Sequence, residues 1–183
     1  DPLTPVHVPN DIPEDLAVSS PLAWYGRGSG AYSRAIAGKR ILSAEEIAAI
    51  ANQIISCPKG AISIGVYDAP AGFATAVQRL AEVTGYPLLA ESTGLDRSDE
   101  IGKAIGRYDS FLRSPTFASS SAPELVIRFG AMPTSKHYQL WLERHIQCQQ
   151  FVVGNGSNSD PTHGLTQSIN AHTTVFCEQL ADY

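Results

Sequence analysis

From Ser43 onward the apolar side chains fall into alternating helical and strand-like runs. Ile47, Ile50, Ala51, Ile54 and Ile55 recur at i, i+3, i+4, i+7 and i+8, which gives a helix one apolar stripe. Ser43 followed three residues later by Glu46 makes a capping box, so the spacing predicts a helix from there to about residue 56. Residues 61–67 read as an apolar strand. Pro70 suits a first helical position, and Phe73, Ala76, Val77, Leu80 and Ala81 repeat the stripe until Gly85 stops it. Residues 87–91 give a second strand, and residues 94–122 are polar and irregular, with a short helix near 107–112. Residues 125–129 are apolar except for Arg128 and break at Gly130. A helix capped by Thr134 then covers residues 134–145, with Tyr138, Trp141 and Leu142 at i, i+3 and i+4. Strands at 149–153 and 165–170 and a closing helix at 172–181, carrying Phe176 and Leu180, complete the pattern.

Strands that alternate with helices of this length pair in parallel through right-handed crossovers. The expected fold is therefore α/β: a doubly wound, mostly parallel, Rossmann-like sheet of five or six strands with helices on both faces. Residues 1–40 break the pattern. Pro2, Pro5, Pro9, Pro13 and Pro21, followed by a Gly and Ser cluster at 26–30, read as an extended interdomain arm that Leu22, Trp24 and Tyr25 could pin to a domain surface. The folded domain is expected over 41–183. Because the chain opens on Asp1 rather than Met, and its first residues read as linker, it is expected to be a piece of a longer polypeptide.

Composition narrows the function classes. A hydrophobic fraction of 43% with 17% charged residues is that of a folded globular chain. The net charge of −5 and the scattering of the 13 basic residues argue against a nucleic-acid surface. No apolar run is long enough to cross a bilayer and no signal-like segment opens the chain, so a cytoplasmic protein is expected. Cys57, Cys148 and Cys177 form no close pair and imply neither a disulfide framework nor a zinc site. Asn155-Gly156-Ser157 reads as a turn, and the five histidines contain no i, i+4 pair, so no metal site is expected.

A sheet of this class receives its ligand at the carboxyl ends of its strands. The polar groups expected there are Asp68, Glu91, the turn over 130–137 and the loop over 155–163. The turn after the first strand, Tyr67-Asp68-Ala69-Pro70-Ala71-Gly72, lacks the dinucleotide fingerprint, and Gly26-Arg27-Gly28-Ser29-Gly30 lacks the strand that a phosphate loop follows. No nucleophile elbow is present. Lys136 lies in the first turn of a helix, where a cation opposes the macrodipole at a cost of a few tenths to about 1 kcal/mol, unless an anion binds and reverses the sign. The residues leave two readings open: a solvated surface lysine, or a cation that, with His137, meets a ligand anion. Asp160-Pro161-Thr162-His163 reads as a structural Asx-turn. Arg128 interrupts a strand that should be covered on both faces; it stands at a sheet edge, reaches Glu91 or Glu124, or faces a neighbouring domain.

The run Pro123-Glu124-Leu125-Val126-Ile127-Arg128-Phe129-Gly130, then Met132-Pro133-Thr134-Ser135-Lys136, the helix with Trp141-Leu142, and the later Asp160-Pro161-Thr162-His163 resemble the central domain of 2-succinyl-5-enolpyruvyl-6-hydroxy-3-cyclohexene-1-carboxylate (SEPHCHC) synthases. Asp1-Pro2-Leu3 resembles the segment that follows that family's N-terminal domain, and Ser43-Ala44-Glu45-Glu46 its entry into the first central helix. The resemblance implies a three-domain, homo-oligomeric (dimeric or tetrameric) transferase of menaquinone and phylloquinone biosynthesis that uses thiamine diphosphate and magnesium. Such enzymes decarboxylate 2-oxoglutarate and add the product carbanion to isochorismate. The cofactor lies between the first and third domains, so residues 41–183 would be a middle domain with no catalytic, cofactor-binding or metal-binding residue, inactive without the N- and C-terminal domains. Residue by residue, Lys136 matches the lysine of a basic pair in the substrate pocket. His137 takes the next position, where members carry arginine or proline. Both would face dicarboxylate substrates. The alternative from another class is an independent nucleotide- or phosphate-binding module, and a third is an interaction domain that docks through residues 22–25.

Overall fold

The computed structural model describes residues 25–28, 30–31, 33–66, 68–91, 104–154, 156 and 160–183. The chain divides into two compact units, residues 1–38 and 39–183. In the first, the Gly30 N–H donates to the Arg27 carbonyl at 3.2 Å across a short turn; Leu22 and Trp24 lie outside the described residues.

The second unit runs α1 (Ala44–Ser56), β1 (Gly60–Ile64), α2 (Phe73–Thr84), β2 (Leu88–Ala90), α3 (Tyr108–Leu112), α4 (Pro115–Ser120), β3 (Leu125–Phe129), α5 (Lys136–Arg144), β4 (Gln149–Gly154), β5 (Gln167–Asn170) and α6 (Thr173–Ala181). Every strand pair is parallel and the order is β2-β1-β3-β4-β5, five strands. Side chains alternate across this sheet and split the core in two. Leu125, Ile127 and Phe129 join Ile62, Ile64, Phe151 and Val153 on the face covered by α1, α2 and α6, where the Phe129 ring packs edge-on against Phe73 at 5.1 Å and Phe176 at 6.2 Å. Ala61, Leu89 and Val126 look the other way, onto Tyr108, Leu112, Tyr138, Trp141 and Leu142 of α3 and α5.

The capping box of α1 forms in both directions: the Glu46 N–H donates to Ser43 Oγ, and the Ser43 N–H donates to the Glu46 carboxylate at 2.8 Å. Elsewhere local signals yielded to their surroundings. Pro70 does not open α2; the helix starts at Phe73 after Gly72, whose φ of 80° breaks the helical path. The stretch expected to be irregular contains, besides α3, the short helix α4, opened by Ser114 as N-cap and Pro115 at its first position. Residues 92–103 of that stretch lie outside the described residues. The last strand begins at Gln167 rather than 165, and α5 is capped by Ser135 rather than Thr134.

Arg128 is not at an edge: β3 is hydrogen-bonded to β1 on one side and β4 on the other, and Arg128 is 2% exposed. Glu91 and Glu124 are engaged elsewhere, Glu124 accepting the Lys59 N–H at 3.0 Å. The guanidinium instead donates to Met132 Sδ at 3.0 Å. Burial lowers its affinity for the proton, while Tyr138 and the carboxylate of Asp160 act in the opposite sense.

The strand order reverses between β1 and β3, the position at which such sheets open a ligand crevice. Here the two loops stay joined beyond the strand ends: the Gly65 N–H donates to the Phe129 carbonyl at 3.2 Å, and the Ala131 N–H donates to Val66 at 3.0 Å. A Cβ on Gly65 would lie 2.1 Å from the Ala131 carbonyl oxygen, so only glycine allows this closure. Gly65→Ala is expected to lower the unfolding free energy by about 1–3 kcal/mol through overpacking, read from urea denaturation. Gly38→Ala, with nothing within 4 Å, should leave the midpoint in place.

Candidate functional site

The turn between β3 and α5 stands at the carboxyl rim of the sheet, and three segments hold it. Gly130 turns the chain out of β3 with a φ of 74°, a conformation that disfavours a side chain. Pro133 is buried. Ser135 Oγ accepts the Tyr138 N–H at 3.1 Å and so caps the helix. Tyr138 is wholly buried and shares a 2.7 Å hydrogen bond with Ser63 of β1, which fixes α5 on the sheet. Burial pushes its phenol up to about 12.

The helix N-terminus already holds a carboxylate of the chain itself. Oε1 of Glu91, the residue after β2, accepts the Thr134 N–H at 2.7 Å, the Thr134 hydroxyl at 2.9 Å, the Ser135 N–H at 3.2 Å and the Tyr108 hydroxyl at 3.2 Å. Its Oε2 is buried without a hydrogen-bond partner among the described residues. A negative group at this end satisfies orphan N–H groups and complements the macrodipole. Burial, and then the charge of Glu91, drives the Tyr108 phenol far above its ordinary range, so it remains a donor at neutral pH. This also explains the shift of the cap. Thr134 spends both its hydroxyl and its N–H on Glu91, leaving the capping role to Ser135.

A second carboxylate braces the same turn from α3. Asp109 Oδ1 accepts from Ser135 Oγ and lies 3.1 Å from His137 Nδ1; Oδ2 accepts from Arg113 Nε at 3.0 Å. Hydrogen bonds from Ser135 and His137 lead in holding its carboxyl below the usual aspartate range. Lys136, the first residue of α5, is exposed and forms no ion pair among the described residues. His137 is half-buried, and its contact with Asp109 leaves Nε2 as the ring nitrogen open to a ligand.

Of the rim residues named from the sequence, the fold brings Glu91, Lys136 and His137 to one turn. Asp68 is exposed and takes no hydrogen bond among the described residues. Asp160 builds the expected Asx-turn, with Oδ1 accepting from the Thr162 N–H and hydroxyl at 3.2 and 2.8 Å and Oδ2 from the Leu165 N–H at 2.7 Å. Tyr108, Asp109 and Ser135 were not singled out by sequence. The i, i+4 spacing of Asp109 and Arg113 was visible, but their tie to the turn is tertiary. Among the described residues no group of three His, Cys, Asp or Glu side chains could hold a metal ion, and no helix is long and apolar enough to cross a membrane.

No family model matches the chain. It is 36% identical over 185 residues to the 2-succinyl-5-enolpyruvyl-6-hydroxy-3-cyclohexene-1-carboxylate synthase of Geobacillus thermodenitrificans, covering 99% of this chain and 31% of that protein. The synthase of the same name from Myxococcus xanthus is 33% identical, with 98% of this chain and 30% of that protein covered. The chain thus spans about a third of the length of the curated relatives it matches. An X-ray structure from Mycobacterium smegmatis, described as a thiamin diphosphate-dependent enzyme, superposes with a TM-score of 0.53 at 18% identity, over 81% of this chain and 29% of that one. That likeness concerns the fold.

Glu91→Ala strands several donors at once and is expected to lower the unfolding free energy by about 2–3 kcal/mol, whereas Glu91→Gln, which keeps an acceptor oxygen, should cost about 1. Urea unfolding of both variants checks this; equal losses would show that the acceptor at Oε1 is not what stabilises the turn.

Proposed function

We propose, for a chain that belongs to the SEPHCHC synthase family and spans about 30% of its relatives' length, that this α/β unit is the non-catalytic central domain of such an enzyme. It spaces the flanking domains and lends the positive side chain of Lys136, with His137 beside it, to a substrate carboxylate. In this reading the full-length protein is a cytoplasmic, homo-oligomeric, thiamine-diphosphate- and magnesium-dependent transferase of menaquinone or phylloquinone biosynthesis. It decarboxylates 2-oxoglutarate and adds the resulting carbanion equivalent to isochorismate. Both substrates are dicarboxylates, the chemistry a cationic side chain at a helix start suits. Residues 1–40 are the interdomain arm and 41–183 the central domain.

The observation that carries the proposal is the division of labour at the start of α5. Thr134 and Ser135 give their N–H groups to Glu91, and Lys136, the next residue, is the exposed cation at that place. The described residues do not fit a diphosphate or its metal: the crevice at the strand-order reversal is closed by the Gly65–Ala131 contact, Glu91 and Asp109 accept from N–H and O–H donors, and no three His, Cys, Asp or Glu side chains among the described residues come together to hold a metal ion. In this reading cofactor chemistry belongs to the flanking domains. The same closure weighs against an independent nucleotide-binding module.

The test uses the full-length parent enzyme. Lys136→Ala should raise KM for one carboxylate substrate about tenfold with a smaller change in kcat, as loss of a charge-assisted hydrogen bond requires. An unchanged kcat/KM would remove Lys136 from the site.

A further inference from the structure

We propose that Asp109 is a positioning residue of the substrate pocket, its carboxylate bridging Ser135 and His137 so that the imidazole is held with Nε2 toward the ligand beside Lys136. The inference rests on the preceding reading of Lys136 and His137. It deepens that reading by assigning the orientation of the pair to a residue 26 positions away from Ser135 in the chain.

The geometry makes Asp109 a rigid brace. It belongs to a short helix that is anchored on both sides of it: Tyr108 is 4% exposed and Leu112 6%, both within the core. The Tyr108 ring meets Tyr138 edge-on at 6.0 Å, so α3 and α5 are locked ring against ring. The exposed Arg113 takes Oδ2 at 3.0 Å and turns Oδ1 toward the turn. Oδ1 then accepts from the hydroxyl that caps α5 and faces His137 Nδ1. A histidine whose Nδ1 is held by a carboxylate has one ring nitrogen left for a ligand and a fixed ring plane. Without that hold the ring turns about its own side-chain torsions, and a ligand must order it on binding.

A residue that only stabilised the fold would leave substrate affinity unchanged once the protein is folded. A positioning residue is coupled to the group it positions, and a double-mutant cycle reads that coupling. In the full-length enzyme, Asp109→Asn is expected to raise KM for the carboxylate substrate about three- to thirtyfold with kcat within about twofold. In a His137→Ala background the same substitution should raise KM less than about twofold, since the ring it orients is gone. Effects that multiply, or an unchanged KM in Asp109→Asn with a lowered Tm, overturn the proposal and assign Asp109 to the fold alone. If Asp109→Asn gives no folded protein, Asp109→Glu, which keeps the charge and displaces it, enters the same cycle with the same two outcomes. Lys136→Ala separates the two levels. A raised KM there with no coupling between Asp109 and His137 sinks only this inference; an unchanged KM in both Lys136→Ala and His137→Ala sinks the pocket reading and this inference with it.

Discussion

One carboxylate organises the part of this molecule that bears on function. Glu91 leaves the second strand and enters the N-terminal end of α5, where it accepts from two backbone N–H groups, a threonine hydroxyl and a tyrosine hydroxyl. Helix starts attract anions, and here the fold supplies its own. The consequences follow in order. Thr134 is drawn into the Glu91 cluster, Ser135 takes over as cap, and Ser135 in turn becomes a partner of Asp109. Lys136 and His137, the next residues, emerge from a turn pinned from two directions.

The same arrangement decides what the domain can recognise. An open helix N-terminus at the reversal point of a parallel sheet favours phosphate; here a glutamate already takes the N–H groups of Thr134 and Ser135, beside a crevice shut by the Gly65–Ala131 contact. Lys136 and His137 stand next to it at the rim. The proposed role of a spacer domain that adds side chains to a shared pocket rests on that placement, in a chain that matches its relatives over about a third of their length.

Much of the fold was legible because its signals are local. The run Leu125–Phe129 is bounded by Pro123 and Gly130 and is a strand over those residues; Ser43 and Glu46 cap the helix they announce. The alternation of such elements fixed parallel pairing, and five strands are found. What escaped was decided at a distance. Choosing between Thr134 and Ser135 as cap depends on Glu91, 43 residues earlier, and the role of Asp109 depends on contacts 26 and 28 residues away. Arg128 left an edge position, a partner in Glu91 or Glu124, or a neighbouring domain open, because a charge in a central strand is costly, yet a sulfur acceptor and a nearby aspartate let it lie inside. The short helix α4 is different, since Ser114-Pro115 is a start signal in plain view and was outweighed by the polar character around it.

The most direct test of the account concerns the amides of Thr134 and Ser135. Their NMR signals can be followed in this chain while inorganic phosphate or 2-oxoglutarate is titrated in, with Glu91→Gln as the comparison. If Glu91 holds the helix start, both amides stay in place and exchange slowly with solvent in the native chain, and loosen in the variant. Saturable shifts of those two amides in the native chain would mean that the helix N-terminus is open to ligand anions, and the account would be wrong at its root.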